Sequence, residues 1–312
     1  MLKNYIILNL LSFIIMMLMI MVGVAYMTIL ERKLLGYIQY RKGPNKSGFL
    51  GLLQPFSDAM KLIFKEIVYL NKSNIMLFYL SPIILLVIMI ILWVVYPFFY
   101  GFIFLEYGIL YILCCLSVSS YSILMSGWSS NSSYSFLGAI RSVAQIISYE
   151  VSLFIFFFNL MLFTKSYSLF DLYNYQNIVC MFLLSHFYLF IMVLISVLAE
   201  LNRVPFDLIE GESELVSGFN TEYFGMEFAL IFLAEYGMIM FMSFMIIMMF
   251  LGFNPISFKF MFFFMILNFF IVWIRGVLPR IRFDQLMMLC WKYFLPYSLM
   301  FLMFNSLFNM FM

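Results

Sequence analysis

Eight stretches of the chain each supply roughly 20 predominantly apolar residues, near 5–30, 76–99, 104–126, 137–163, 178–199, 226–252, 258–279 and 285–310. A run of that length spans a bilayer core of about 30 Å as a helix. In lipid a lone segment can satisfy its backbone N–H and C=O groups only within itself, so each run is expected to be helical. The expected fold is therefore all-α: one polytopic membrane domain, residues 1–312, with about eight transmembrane helices. Composition agrees, because a chain that is 66% hydrophobic and 10% charged has too little polar surface for a water-soluble domain of 312 residues. The first run is too long for the core of a cleavable signal and reads as a retained span. The fourth run contains Arg141 and Glu150, and the last is interrupted by Lys292 and Pro296.

Several function classes fall away. A net charge of +2 gives no reason to expect nucleic acid as a partner. The four cysteines, Cys114, Cys115, Cys180 and Cys290, show no CxxC pair or metal-ligand spacing, and His186 is the single histidine. Neither an iron–sulfur cluster nor a zinc site is expected on this chain. The sequence has no GxGxxG and no P-loop, and it lacks the internal repeat of many secondary transporters. Residue choice adds one positive clue: 41 Phe and 28 Met stand against seven Ala. That pattern is expected where A/T bias selects among interchangeable apolar residues, as in a mitochondrial genome.

Charge orients the spans. An even number of crossings puts both termini on one side, and connectors one, three, five and seven on the other. The second side holds fourteen of the 17 basic residues, and the termini side keeps Lys3, Lys165 and Lys259. By the positive-inside bias, the loaded connectors face the matrix and the termini face the intermembrane space. Within the first connector, "PFSDAMKLIFKEIVYL" places Phe56, Ala59, Met60, Ile63, Phe64 and Ile67 on one helical face. Asp58, Lys61 and Lys65 occupy the other, and Pro55 suits a first helical position. An amphipathic helix lying along the membrane surface is expected there.

The acids stand out against this background. Glu150 and Glu235 fall inside apolar spans, where an ionised carboxylate costs about 2.5–3.5 kcal/mol by insertion scales. Such groups face a bundle interior or a hydrated path, and they are candidates for proton transfer. Glu31 and Glu227 lie nearer span ends and are further members of the same set. The fifth connector, "AELNRVPFDLIEGESELVSGFNTEY", packs Glu200, Asp207, Glu210, Glu212, Glu214 and Glu222 around one base, Arg203. Carboxylates this close share protons, so the stretch reads either as a proton-exchanging connector set against a partner or as a solvated loop that balances nearby cations.

Four blocks resemble a known family: "LERKLLGYIQYRKGPNKSGFLGLLQPFSDAMKLIFKE", "GWSSNSSYSFLGAIRSVAQIISYEVSL", "NRVPFDLIEGESELVSGFNTEY" and "WIRGVLPRIRFDQLM". They are similar to the membrane subunit 1 of mitochondrial NADH:ubiquinone oxidoreductase, respiratory complex I, of an invertebrate, insect type. The resemblance covers essentially the whole chain. It implies a subunit at the junction with the peripheral arm that forms the lower ubiquinone tunnel and couples electron transfer to proton translocation across the mitochondrial inner membrane. By motif match it places Glu31, Arg32, Gln39, Asp58, Phe228 and Arg275 at the quinone tunnel. It places Glu150, Glu200, Asp207, Glu210, Glu212, Glu214, Glu222 and Glu235 on a proton path. Ubiquinone would be the substrate, and FMN and iron–sulfur clusters would sit on partner subunits, with no cofactor bound by this chain alone. Its partners would be quinone-site peripheral-arm subunits, neighbouring membrane subunits and membrane lipids.

Three departures from the family pattern bear on this. Leu201 and Val204 stand where relatives carry hydroxyl residues, Glu227 where they tend to be neutral, and Phe283 where Tyr is common. No hydroxyl role carries over to those positions. A lone ion or solute transporter would also carry intramembrane acids, but the basic first connector and the acidic fifth one look like docking surfaces.

Overall fold

The computed structural model describes residues 2–66, 71–96, 105–178, 180–208 and 218–311. Among the described residues the chain is helical with no strand. Seven helices are long and apolar enough to cross a membrane: Leu11–Ile38, Ile75–Val95, Gly108–Ser129, Ser133–Thr164, Gly225–Leu251, Phe258–Val277 and Phe283–Leu307. They belong to α1 (Leu2–Ile38), α3 (Ile75–Leu92), α4 (Gly108–Ser129), α5 (Ser133–Thr164), α9 (Gly225–Ile246), α10 (Phe258–Val277) and α11 (Phe283–Met288), which continues into α12 (Leu295–Phe311).

The expected fifth span differs. Its run breaks at His186 into a single turn, α7 (Phe182–Ser185), and α8 (Phe187–Glu200). His186 has non-helical backbone angles and sits 4.7 Å, ring to ring, from Phe163. The fourteen residues of α8 cover about 21 Å as a helix, short of a bilayer core of about 30 Å, and α8 is not among the seven helices long enough to cross. A further helix, α6 (Leu169–Ile178), precedes it. It was not expected from the apolar runs, because its sequence LFDLYNYQNI is half polar.

Connector contacts show that alternate turns meet at the same end of the bundle. At one end the amide of Asn74 donates to the carbonyl of Ser129 at 2.9 Å, and that of Ile281 to the carbonyl of Pro205 at 3.0 Å. At the other, Ile109 donates to the carbonyl of Tyr167 at 3.2 Å. There too, the side chain of Gln176 donates to the carbonyl of Met249 at 2.6 Å. The last contact closes a π-helical turn, Ile247–Leu251, which ends at Gly252 with φ 59°. A Cβ at Gly252 would collide with the Gln176 side chain, so both the left-handed backbone and the close packing require glycine there.

α2 (Gln54–Ile63) is the surface helix expected in the first connector. Its apolar residues Phe56, Met60 and Ile63 are exposed, as suits a helix that lays that face on lipid. Phe56 makes an edge-on ring contact with Tyr26 of α1, fixing α2 against the first span. Ile67, the last residue assigned to that face, lies outside the described residues.

Polar groups hold the bundle where lipid offers no alternative partner. The amide of Asn159 on α5 donates to the carbonyl of Ser298 at 3.2 Å, and that of Asn305 on α12 donates to Asn159 at 3.2 Å. α4 and α5 approach so closely at Gly127 that a Cβ there would overlap Ala139. Small residues at such crossings are how membrane helices gain contact without a hydrophobic drive.

The alternating topology makes a direct prediction. Single cysteines introduced at Lys46 and Lys72 label with an impermeant thiol reagent from one side of the membrane, and those at Lys165 and Lys259 from the other. Labelling of positions 46 and 165 from the same side would require an even number of crossings between them and rule out this path, which has three.

Candidate functional site: one carboxylate between two arginines

α1 continues as a helix past its apolar stretch, so Glu31 and Arg32, expected at the start of a connector, sit on a rigid extension of the first span. Glu31 is buried, with 7% of its side chain exposed. Three groups converge on it from three other parts of the chain. Arg275, in the last turn of α10, donates from Nη1 to Oε1 in an ion pair with a hydrogen bond. Arg203, just beyond α8, brings its Nη1 to 3.6 Å from the same oxygen. The phenol of Tyr236 on α9 donates to Oε2 at 2.5 Å. The Arg203 guanidinium also stacks over the Tyr236 ring at 4.6 Å and reaches Glu235 Oε2 at 3.9 Å.

This arrangement answers the cost of burying a carboxylate. Attraction between unit charges at 4 Å is about 4 kcal/mol at an effective dielectric of 20, and desolvation costs several kcal/mol per ion. One cation would roughly break even. Two cations and a phenol together offset that cost and fix Glu31 in place.

Arg203 also lines a cleft that encloses about 780 Å³ of non-atom space, part of it open to the outside. Glu200, Asn202, Asp207, Asn220 and Glu235 line it with Arg203, over an apolar floor that includes Leu116, Ile146 and Met242. Gln145 on α5 braces both ends of the first part of the acidic connector, donating to the carbonyls of Ala199 at 2.8 Å and Phe206 at 3.0 Å. Asp207 is buried and faces Arg280 at 3.4 Å. Glu200 is buried beneath it and interacts electrostatically with Glu150 of α5. Glu200 Oε2, Glu150 Oε1, Asn202 Oδ1 and both amide atoms of Asn220 are buried without a hydrogen-bond partner among the described residues. Of these residues Glu200, Asn202 and Asn220 line the cleft, where buried polar groups of this kind call for a hydrogen-bond partner.

The far end of the acidic connector is anchored by Tyr223. Its ring stacks on Phe78 of α3 at 4.2 Å, and its hydroxyl lies 2.9 Å from that of Ser81. Burial, with a smaller push from the Glu227 carboxylate, raises this phenol to about 12, so it remains a neutral hydrogen-bonding group.

The expected site residues thus separate into groups. Glu31, Arg275 and Glu235 join one charge cluster. Glu200 and Asp207 line the adjoining cleft with Glu235, and Glu150 lies within electrostatic reach of Glu200. Arg32 and Asp58 pair at 2.6 Å, with Gln54 donating to Asp58 at 2.9 Å, on the solvent side of the first connector. Gln39 is exposed and accepts from Arg41 at 2.9 Å. Phe228 is half-buried in α9 against Phe232, and Glu222 is half-buried at the end of the short turn Gly218–Glu222. Glu210, Glu212 and Glu214 lie outside the described residues. Glu227 is half-buried in the first turn of α9. Two members of the charge cluster, Arg203 and Tyr236, were not among the expected site residues. Arg203 carried a signal as the single base in the acidic connector. Tyr236 carried little, since a tyrosine in an apolar span is ordinary.

Comparison with known proteins places this geometry. Residues 11–306 match the family described as NADH dehydrogenase. The chain is 50% identical over 285 residues to NADH-ubiquinone oxidoreductase chain 1 of Anopheles gambiae, covering 91% of this chain and 90% of the mosquito protein. It is 49% identical over 294 residues to the chain 1 protein of Locusta migratoria, covering 94% and 93%. With that of Artemia franciscana the identity is 51% over 291 residues, covering 92% and 94%.

If Glu31 holds the cluster together, removing its charge leaves two guanidiniums facing each other in a largely dry site. Glu31→Gln is expected to destabilise the protein by about 3 kcal/mol or more. Tyr236→Phe, which removes one hydrogen bond to a charged group, should cost about 1.5–3 kcal/mol. Thermal midpoints of the purified assembly give the order, and a Glu31→Gln midpoint equal to that of the parent would deny the carboxylate its anchoring role.

Proposed function

The chain belongs to the NADH dehydrogenase family, and from that premise we propose that it is the subunit of a mitochondrial NADH:ubiquinone oxidoreductase that lines the lower quinone tunnel and couples quinone reduction to proton translocation. The observation that carries this reading is the Glu31 cluster: one buried carboxylate bonded to Arg275 and Tyr236, and joined through Arg203 to Glu235 in a polar cleft.

Reduction of a quinone to its quinol takes two electrons and two protons, so charge appears and is neutralised at the quinone oxygens. In this reading Arg275, with Glu31 beside it, faces the quinone end, while Arg32, Gln39, Asp58 and Phe228 line the approach. A change of charge there alters the pull on Arg203 and, through it, on Glu235. Glu150, Glu200, Asp207 and Glu222, with Glu210, Glu212 and Glu214 of the same connector, form the acidic path along which that change is passed. FMN and the iron–sulfur clusters belong to partner subunits, and the basic connectors face the matrix, with both termini toward the intermembrane space.

Two experiments test the two halves of the reading. Arg275→Met should lower quinone reductase activity at least tenfold while NADH oxidation by a hydrophilic artificial acceptor, which takes electrons upstream, stays near the parent rate. An unchanged quinone rate in the assembled variant would remove Arg275 from the tunnel. Glu150 and Glu200 interact electrostatically, so Glu150→Gln and Glu200→Gln should combine non-additively in their effect on coupled proton pumping, by about 0.5 kcal/mol or more in a double-mutant cycle. Strict additivity in fully assembled variants would make them independent packing residues.

A further inference from the structure

We propose that Arg282, Gln285, Met288 and Lys292, on the outer face of the last span, form a binding site for the phosphate of an anionic phospholipid. The inference rests on the membrane placement of Phe283–Leu307 and not on the quinone or proton reading. Successive members stand three, three and four residues apart, which lines them up on one side of a helix, and all four are exposed. None belongs to the Glu31 cluster or the cleft.

Lys292 is the feature that needs an explanation. It lies nine residues beyond Phe283, about 13 Å along the helix, among exposed apolar residues that continue through Met300, Met303 and Phe304. A cation on such a face must reach the headgroup region or meet an anion. Helical side chains lean toward the N-terminus, which here is the end carrying Arg282 and the basic connectors, so the ammonium is directed to the nearer interface. Exposed Trp291 and Tyr293 flank it, and these residue types settle at headgroup depth.

Among the described residues no anion answers this charge. Among the described residues neither Lys292 nor Arg282 forms an ion pair, and Asp284, exposed on the adjoining face, forms none with them. The backbone is also modified at this point. Pro296 has no N–H to offer the carbonyl of Lys292, and Leu289–Phe294 widens into a π-helical turn. Such turns recur at functional sites. Two cations and an amide donor along one stripe suit phosphate oxygens, which accept from several donors at once.

The test uses the intact assembly with a photoreactive side chain at Met288, reconstituted in phosphatidylcholine vesicles with increasing phosphatidylglycerol. The expected result is crosslinking to phosphatidylglycerol in preference to phosphatidylcholine. Lys292→Leu should weaken the apparent affinity roughly fivefold, the effect of one basic group near a membrane surface, and Lys292→Arg should preserve it. Crosslinking to a neighbouring polypeptide would make the stripe a subunit interface and overturn the proposal. Equal yields for both lipids, or yields indifferent to Lys292→Leu, would also overturn it. Parent-like mobility of the assembly on native electrophoresis separates loss of the site from loss of assembly. If Lys292→Leu does not assemble, Arg282→Gln carries the same comparison.

Discussion

The hydrocarbon core of a membrane offers polar groups nothing to bond, and the arrangement of this protein follows from that constraint. Backbone groups are satisfied by coiling, which yields the long helices. Several side-chain polar groups inside the bundle are satisfied against one another or against exposed carbonyls, as in Asn159 with Ser298 and Asn305, and Gln176 with Met249. These contacts are few, each joins elements distant in sequence, and each fixes the register of a helix pair that apolar packing alone would leave free to slide.

The Glu31 cluster is the strongest case of the same rule. Its members come from α1, the segment after α8, α9 and α10, so one buried carboxylate ties together four regions of the bundle. Continuity of α1 beyond its apolar part makes this possible. Had the helix ended where hydropathy falls, Glu31 would lie on a flexible connector and its burial would have to be repaid in conformational entropy as well as in desolvation. The cluster also borders the polar cleft through Arg203, so the anchoring contact and the cleft share a side chain.

Much of the fold was legible from the length of apolar runs alone, because the bilayer imposes one secondary structure on them. What escaped was whatever does not depend on apolar length. The break at His186 is set by local backbone geometry, and α6 is a half-polar helix with no membrane signal. For the site, the acids were visible because charge is rare in this chain, and Glu31, Glu235, Glu200 and Asp207 proved to be neighbours. Their pairing was not visible. Arg203 and Tyr236 take their place through packing between segments more than 170 residues from Glu31 in sequence, a relation that no local pattern encodes.

The buried acids of this chain fall into two physical kinds. Glu31 is bound by two guanidiniums and a phenol, and a carboxylate so held resists any change of charge, because protonation would strand both arginines. Glu150 and Glu200 have no cation within ion-pair distance among the described residues, each has a buried oxygen without a hydrogen-bond partner, and they repel each other. Glu235 stands between, touching Arg203 at 3.9 Å with part of its side chain open to the cleft. Arg203, within 4 Å of both Glu31 and Glu235, joins one kind of acid to the other.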